Sequence, residues 1–204
     1  MTDKMKIGVL LSGSGTNLQA IIDECAKGLP VEIVLVVSSN PDAYGITRAR
    51  EAGLKVLVME RSEYDDPRAA DARIALALAA AQANYVVMAG YMRKVTDVLL
   101  DAYPNRIVNL HPALLPSFKG AHGIQEAFDA GVKITGITVH FADGNYDCGP
   151  IIAQRAVEVH EDDTLETLEA RIHEVEHELY PQVIGWIAEG KVFVGPDGKV
   201  HIHE

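Results

Sequence analysis

Short apolar runs rich in β-branched residues alternate with longer segments of helical periodicity along much of the chain. The runs predict strands over residues 7–11, 31–37, 56–59, 85–89, 107–110 and 134–141. The segments between them predict helices over residues 16–27, 44–52, 67–83, 96–102 and 124–130. This alternation is typical of an α/β fold, and we expect a Rossmann-like, mostly parallel twisted sheet with helices on both faces.

The last part of the chain has a different pattern. A long helix is predicted from about residue 165 to 189, because Asp163 or Thr164 can cap its start. Pro181 lies inside this helix and should kink it. Residues 191–204 contain two short apolar runs separated by a Gly-Pro-Asp-Gly turn, and they predict a hairpin.

The composition is that of an ordinary globular protein. Of the 204 residues, 48% are hydrophobic and 23% are charged. A chain of this size buries roughly 70% of its unfolded surface, which is enough for one sizeable core. We therefore expect a single domain over residues 1–204, with halves at about 5–105 and 106–190 followed by the hairpin.

Charge and cysteine usage narrow the class of partner. The 18 basic and 29 acidic residues give a net charge of -11, which disfavours nucleic acid and anionic membranes as partners. The two cysteines, Cys25 and Cys148, form neither a disulfide framework nor a C-x-x-C site. The apolar run at residues 7–11 is too short for a signal sequence or a membrane span, so we expect a reducing cytosol.

The first candidate site is the loop between the first strand and the first helix. It contains Gly13 and Gly15, and the N–H groups of Gly15, Thr16 and Asn17 can hold an anion at the positive end of the helix. No Gly-Lys-Ser/Thr follows, and Leu18 replaces the third glycine of a dinucleotide fingerprint. The loop therefore favours a single phosphate, and the alternative is a tight capped turn with no ligand.

A second candidate lies at the end of the strand that begins near residue 107. Asn109 and His111 are two residues apart, so in a strand they project to the same side at the carboxyl edge of the sheet. An amide donor and an imidazole together can stabilise a developing oxyanion while a proton moves. The alternative is a hydrogen-bonded structural pair.

A third candidate is the turn-rich loop over residues 143–150. Asp147 in this loop could orient His111 and raise the pKa of its imidazolium, because a nearby anion favours the charged form. Alternatively, Asp147 only organises the turn.

Other histidines are weaker candidates. His173 and His177 match the H-E-x-x-H zinc pattern, but the surrounding helix is densely charged and lacks a clear third ligand, which favours a chance match over a zinc peptidase. His140 lies within an apolar strand and is more typical of a core histidine than of a catalyst. His122 follows a loop that begins shortly after His111, and we expect it to line the same cleft.

Four segments occur in order along the chain, at residues 10–18, 90–93, 109–123 and 147–150. Together they resemble the phosphoribosylglycinamide formyltransferase family of folate-dependent enzymes, also called glycinamide ribonucleotide transformylases. The resemblance extends from about residue 6 to 188, nearly the whole chain. It implies the formyltransferase fold, with a nucleotide phosphate-binding first half and a catalytic and folate-binding second half.

The family transfers a formyl group from 10-formyltetrahydrofolate to the amino group of glycinamide ribonucleotide in purine biosynthesis, by direct attack and without a metal. The resemblance implies that the catalytic residues are Asn109, His111 and Asp147. It implies that Gly15, Thr16 and Asn17 bind the substrate phosphate and that Glu176 and Pro112 contact the substrate. The residues implied to bind folate are Arg68, Tyr91, Met92, Arg93, Val95 and Asp143.

Three positions depart from the expected family pattern. Lys94 replaces an apolar residue beside the folate, Lys119 stands where Pro is frequent, and His173 stands where a longer donor is usual. These departures affect substrate contacts and leave the implied catalytic residues Asn109, His111 and Asp147 unchanged. We expect small-molecule substrates, no nucleic acid or membrane partner, and a monomer or a homodimer.

Two relatives and one unrelated class remain as alternatives. Formyltetrahydrofolate hydrolase is similar in fold and has the same Asn, His and Asp set, but it normally carries an additional N-terminal domain, whereas the catalytic pattern here begins by Lys6. Methionyl-tRNA formyltransferase should need a tRNA-binding domain, and the acidic charge suits tRNA poorly. A non-catalytic phosphate-binding module would need only the glycine-containing loop.

Overall fold

The computed structural model describes residues 4–203. Within this range the chain folds into two compact units, the first ending at Val108 and the second beginning at Asn109.

The first unit contains four strands that pair in parallel. The strands are β1 (Met5–Leu11), β2 (Val31–Ser38), β3 (Val56–Val58) and β4 (Tyr85–Met88). β1 pairs with both β2 and β4, and β2 also pairs with β3. Because the carboxyl ends of parallel strands meet at one edge, the loops after β1 and β4 leave the sheet on the same side.

Helices separate these strands in the chain. They are α1 (Thr16–Lys27), α2 (Gly45–Glu51), α3 (Pro67–Ala80) and α4 (Asp97–Ala102), with a short 3₁₀ helix at Arg61–Asp65. α3 begins where the sequence favours it, since the Asp66 side chain accepts from the N–H groups of Arg68 and Ala69 and Pro67 occupies the first turn. Leu18 and Ile21 of α1 and Ile74 and Leu78 of α3 are fully buried.

The second unit carries the remaining elements. They are β5 (Ile107–His111, whose first two residues belong to the first unit), α5 (Gly123–Asp129), β6 (Ile134–Phe141), β7 (Ile151–Glu158), α6 (Leu165–Ala188), β8 (Val192–Val194) and β9 (Val200–Ile202). β6 and β7 are antiparallel, and their register shifts between Val139 and His140. β8 and β9 form the predicted terminal hairpin.

The seven strands β1 to β7 form a sheet in the order β3-β2-β1-β4-β5-β6-β7. This mostly parallel sheet with intervening helices confirms the predicted α/β class. Two elements were missed: the 3₁₀ helix and β7. In β7 only Ile152 and Val157 are buried, so its apolar positions are too sparse to mark a strand by alternation.

α6, which follows β7, is the long helix that the sequence predicted. The helix runs from Leu165 to Ala188 and continues through Pro181, which is itself buried. Thr164 caps its start by accepting from the N–H of Thr167, as the sequence indicated. Within residues 4–203, no helix has the length and apolar character needed to cross a membrane.

Candidate active site

The three predicted catalytic residues converge within the second unit. Asn109 and His111 lie at the carboxyl end of β5, and Asp147 lies in the loop between β6 and β7. His111 Nδ1 is 3.5 Å from Asp147 Oδ2, and both side chains are largely buried, with 4% and 8% exposed. The strand spacing thus brings an amide and an imidazole to the same place as the loop carboxylate.

Asp147 is held in an unusual backbone conformation. Its φ of 51° lies in the left-handed region, which L residues other than Asn and Asp rarely adopt. Its Oδ2 accepts a 2.8 Å hydrogen bond from the N–H of Gly120. One carboxylate oxygen of Asp147 is therefore held by a main-chain donor, which suits a group that must keep one orientation.

His140 also lies in this cluster, although the sequence analysis interpreted it as a core histidine. Its Nε2 lies 3.1 Å from Asn109 Nδ2 and 3.6 Å from Asp147 Oδ1. Its Nδ1 lies 2.9 Å from the carbonyl oxygen of Phe141. Because a carbonyl can only accept, Nδ1 carries the proton and the neutral ring presents Nε2 as an acceptor for the Asn109 amide.

The same reasoning fixes the neutral tautomer of His111. Its Nε2 lies 2.7 Å from the carbonyl oxygen of Phe118, so Nε2 donates and Nδ1 faces the Asp147 carboxylate. Burial lowers the pKa of His111 below its ordinary value of 6.5, and attraction to Asp147 opposes this effect without reversing it. We expected a raised pKa; the carboxylate acts in the expected direction, but desolvation is stronger.

Asp147 is ionised at neutral pH. Burial alone would raise its pKa, but the interaction with the His140 side chain, the hydrogen bond from the N–H of Gly120 and the proximity of His111 together hold the pKa below the ordinary value of 3.8. The cluster therefore contains a permanent carboxylate beside two imidazoles.

In the first unit, the glycine loop (residues 13–17) joins β1 to α1. Gly15 has a φ of 72° and occupies the N-cap position, so α1 begins at Thr16. A Cβ atom added to Gly15 would lie 2.6 Å from the Cα atom of Gly45, so the position requires glycine. Gly15, Thr16 and Asn17 thus occupy the first positions of a helix, where N–H groups lack acceptors within the helix.

Ser12 links the glycine loop to the segment over residues 90–95, a contact that no sequence pattern predicted. Its N–H donates to the carbonyl oxygen of Gly90 at 3.0 Å. Its Oγ accepts from the N–H of Met92 at 2.8 Å and lies 2.6 Å from Ser39 Oγ. Ser12 therefore ties together two segments predicted to bind different ligands.

Four of the predicted folate-binding residues lie in this 90–95 segment. Tyr91 and Val95 are buried, whereas the Met92 side chain is 65% exposed. Tyr91 Oη lies 3.0 Å from Tyr64 Oη, and the guanidinium carbon of Arg93 lies 4.5 Å from the centre of the Tyr64 ring. Tyr64 of the 3₁₀ helix thus contacts both Tyr91 and Arg93.

The other two predicted folate residues lie elsewhere. Arg68 is exposed and forms an ion pair with Asp97, so its guanidinium already has an acidic partner. Asp143, in the second unit, accepts from the N–H of Asn145 at 3.1 Å and closes a local turn. Arg68 is exposed and Asp143 is half-buried.

The remaining predicted site residues of the second unit are Glu176, Pro112 and His122. Glu176 is 4% exposed, and its carboxylate lies 2.9 Å from His173 Nδ1. This hydrogen bond raises the pKa of His173. Pro112 is half-buried directly after β5, and His122 is exposed at the start of α5.

The two histidines of the H-E-x-x-H pattern contact an acidic side chain and each other in the structure. Its first imidazole is paired with Glu176, and the rings of His173 and His177 are stacked 6.4 Å apart. Among residues 4–203 no three His, Cys, Asp or Glu side chains are grouped in a way that could hold a metal ion.

Comparisons with known proteins point to one family. A family model described as "Formyl transferase" matches residues 5–184. The phosphoribosylglycinamide formyltransferase of Bacillus subtilis is 42% identical over 88% of this chain and 92% of its own length. The trifunctional purine biosynthetic protein adenosine-3 of Gallus gallus is 40% identical over 98% of this chain, which spans only 20% of that protein. The crystal structure of glycinamide ribonucleotide transformylase 1 from Symbiobacterium toebii matches with a TM-score of 0.96 and 46% identity, covering 100% of this chain and 96% of the other.

Proposed function

The chain belongs to the phosphoribosylglycinamide formyltransferase family, and we propose that it transfers the formyl group of 10-formyltetrahydrofolate to the amino group of glycinamide ribonucleotide. The observation that carries this proposal is the convergence of Asn109, His111, His140 and Asp147 in one largely buried cluster. Acyl transfer to an amine needs donors for the developing oxyanion and a group that moves a proton, and an amide, an imidazole and a carboxylate can supply them.

The first step is attack of the substrate amine on the formyl carbon, which places negative charge on the formyl oxygen. Asn109 has a second amide hydrogen besides the one directed at His140, and this hydrogen is suited to donate to that oxygen. His111 contributes its Nε2–H. This group donates to the carbonyl oxygen of Phe118 in the structure, and it must donate to the substrate oxygen instead during the reaction. Removing one such oxyanion donor typically costs about 10² to 10³ in rate.

Collapse of the tetrahedral intermediate requires a proton to move. The attacking nitrogen loses one proton, the folate N10 gains one, and the bond between the formyl carbon and N10 breaks. Asp147 is the nearby group that is ionised at neutral pH, so we assign to it the role of accepting and returning this proton, directly or through water. Its charge also stabilises any positive charge that develops on His111.

Substrate binding is assigned to the remaining predicted residues. Gly15, Thr16 and Asn17 hold the ribonucleotide phosphate at the start of α1, and the buried carboxylate of Glu176 accepts from substrate hydroxyl or amine groups. Pro112 lies directly after His111 and is assigned a substrate contact. The folate contacts are assigned to Arg68, Tyr91, Met92, Arg93, Val95 and Asp143. Both cysteines are free thiols, which supports a reducing compartment and hence the cytosol.

The decisive experiment is a spectroscopic assay of tetrahydrofolate release, run with and without glycinamide ribonucleotide. A transferase releases tetrahydrofolate only when the amine substrate is present. Release at equal rates without it would reject the transferase and favour formyltetrahydrofolate hydrolysis, since water would then be the acceptor.

A matched pair of histidine variants tests the assignment of the cluster. His111→Ala should abolish formyl transfer while leaving folate affinity within a few fold, because the imidazole acts on the reacting oxygen. His160→Ala removes an exposed histidine and should leave both quantities unchanged. A large loss of folate binding in His111→Ala would instead indicate a structural role for this residue.

A further inference from the structure

Two carbonyl groups of the glycine loop are held by α2. The Gly13 carbonyl oxygen accepts from the N–H of Gly45 at 3.0 Å. The Ser14 carbonyl oxygen accepts from Arg48 Nε at 2.9 Å. The backbone of the loop is therefore fixed by one main-chain and one side-chain donor from the same short helix.

These bonds determine where the loop directs its N–H groups. A trans peptide unit is planar, and its carbonyl and N–H point in opposite directions. The Gly13 carbonyl shares a peptide unit with the N–H of Ser14, and the Ser14 carbonyl shares one with the N–H of Gly15. Holding both carbonyls toward α2 consequently turns the N–H groups of Ser14 and Gly15 away from it.

Arg48 is itself held in place by its surroundings. Its Nη1 donates to Gln19 Oε1 at 3.4 Å, and its guanidinium carbon lies 5.1 Å from the centre of the Tyr44 ring. The side chain is half-buried, whereas Arg50, two residues further along α2, is exposed. Arg48 is thus pre-organised as a donor to the loop, and Arg50 offers the same charge on the same helix outside this arrangement.

We propose that Arg48 is a positioning residue for recognition of the substrate phosphate, acting through the Ser14 carbonyl to aim the N–H of Gly15 at the anion. The guanidinium lies on the side of the peptide unit opposite to that N–H, so it orients the donor and adds positive charge without contacting the phosphate. This inference rests on the proposed function, because it assumes that the glycine loop binds the ribonucleotide phosphate.

The test compares Arg48→Met with Arg50→Met. Binding of ribose 5-phosphate, measured by calorimetry, should weaken about tenfold in Arg48→Met, since a hydrogen bond from a charged donor contributes on this scale. KM for glycinamide ribonucleotide should rise by a similar factor with kcat nearly unchanged. Arg50→Met should match the wild type in both measurements.

A dephosphorylated substrate separates positioning from general disruption. With glycinamide riboside, Arg48→Met and the wild type should have the same kcat/KM, because no phosphate is present to be recognised. Arg48→Lys retains the charge and one donor, and it should bind ribose 5-phosphate more tightly than Arg48→Met does. Both comparisons use only variants whose Tm shows that they are folded. If Arg48→Met does not fold, Arg48→Lys is compared with the wild type instead.

Three results would overturn the proposal: equal affinity for ribose 5-phosphate in the wild type and the Arg48 variants, equal losses in Arg48→Met and Arg50→Met, or an equal loss with the riboside. Ribose 5-phosphate binding requires no formyl transfer. An inactive wild type that still shows the predicted binding pattern would therefore reject the proposed function while retaining the role of Arg48.

Discussion

The Nε2 atom of His140 accepts a 3.1 Å hydrogen bond from the amide of Asn109, while its Nδ1 lies 2.9 Å from the carbonyl oxygen of Phe141. The carbonyl group of Phe141 thereby selects the neutral tautomer of His140, and that tautomer selects the orientation of the Asn109 amide. If the amide were reversed, its oxygen would face the acceptor lone pair of His140, which is an unfavourable contact.

We expect His140→Leu to reduce kcat by about ten- to a hundredfold, less than direct loss of an oxyanion donor, because Asn109 remains but is no longer oriented. His140→Gln keeps an acceptor oxygen near the Asn109 amide and should recover part of the rate. The measurement is steady-state kinetics with both substrates. Similar kcat values for the two variants would mean that packing, and not the acceptor, is what position 140 supplies.

Asp147→Asn should lower kcat by about 10² to 10⁴, the range typical of a lost general acid–base group. Asn retains a side-chain oxygen for the N–H of Gly120 and tolerates the left-handed backbone, so the folded structure should persist. The Asp147 charge raises the pKa of His111, so its removal should move the His111 titration to lower pH. NMR of the histidine ring measures this shift, and an unchanged titration with unchanged turnover would remove Asp147 from the mechanism.

The lowered pKa of His111 predicts a dependence of stability on pH. The unfolded chain binds a proton at this residue near pH 6.5 and the folded chain only at lower pH, so the unfolded state holds more protons in that window. The free energy of unfolding should therefore fall as pH decreases below 6.5, by at most about 1.4 kcal/mol per pH unit, until the folded pKa is reached.

Denaturant titrations of wild type and His111→Gln between pH 5 and about 8 measure this contribution. The variant should lose less stability on acidification. His173 serves as a contrast, because its pKa is raised through Glu176 and its stabilisation is lost as pH rises above 6.5. If the free energy of unfolding fell more steeply on acidification in His111→Gln than in wild type, the lowered pKa assigned to His111 would be contradicted.

Ser12→Ala should raise KM for 10-formyltetrahydrofolate by about three- to tenfold, because the N–H of Met92 loses the acceptor that fixes the 90–95 segment. Ser62→Ala, an exposed serine in the 3₁₀ helix, serves as the control and should behave as wild type. If Ser12→Ala changed neither substrate's KM, the link between the two segments would have no role in ligand binding.

The convergence of Asn109, His111 and Asp147 could be predicted from the sequence, because it depends on features that spacing reveals. Asn109 and His111 are two residues apart on a strand, so their side chains lie on the same face. The turn-rich loop after the next strand brings the Asp147 carboxylate to the same edge of the sheet. The place of His140 beside Asn109 and Asp147 could not be predicted, because burial in an apolar strand is typical of a core histidine. Only the pairing of its two ring nitrogens with Phe141 and Asn109 distinguishes the two roles.

Other misses have similar physical origins. Ser12 makes hydrogen bonds to residues about eighty positions away, and no local pattern encodes such contacts. The pKa of His111 was expected to rise because the carboxylate partner could be identified, but the extent of burial could not. Desolvation is a property of the packed structure, and here it outweighs the charge of Asp147.

The left-handed backbone of Asp147 restricts which side chains can ever occupy that position. Most L residues would strain the main chain there, and glycine or asparagine would relieve the strain while discarding the carboxylate. A saturation library at codon 147 should accordingly yield two groups of clones, poorly expressed ones and well-expressed but inactive ones. The backbone at position 147 thereby leaves little room for adaptive change at this residue.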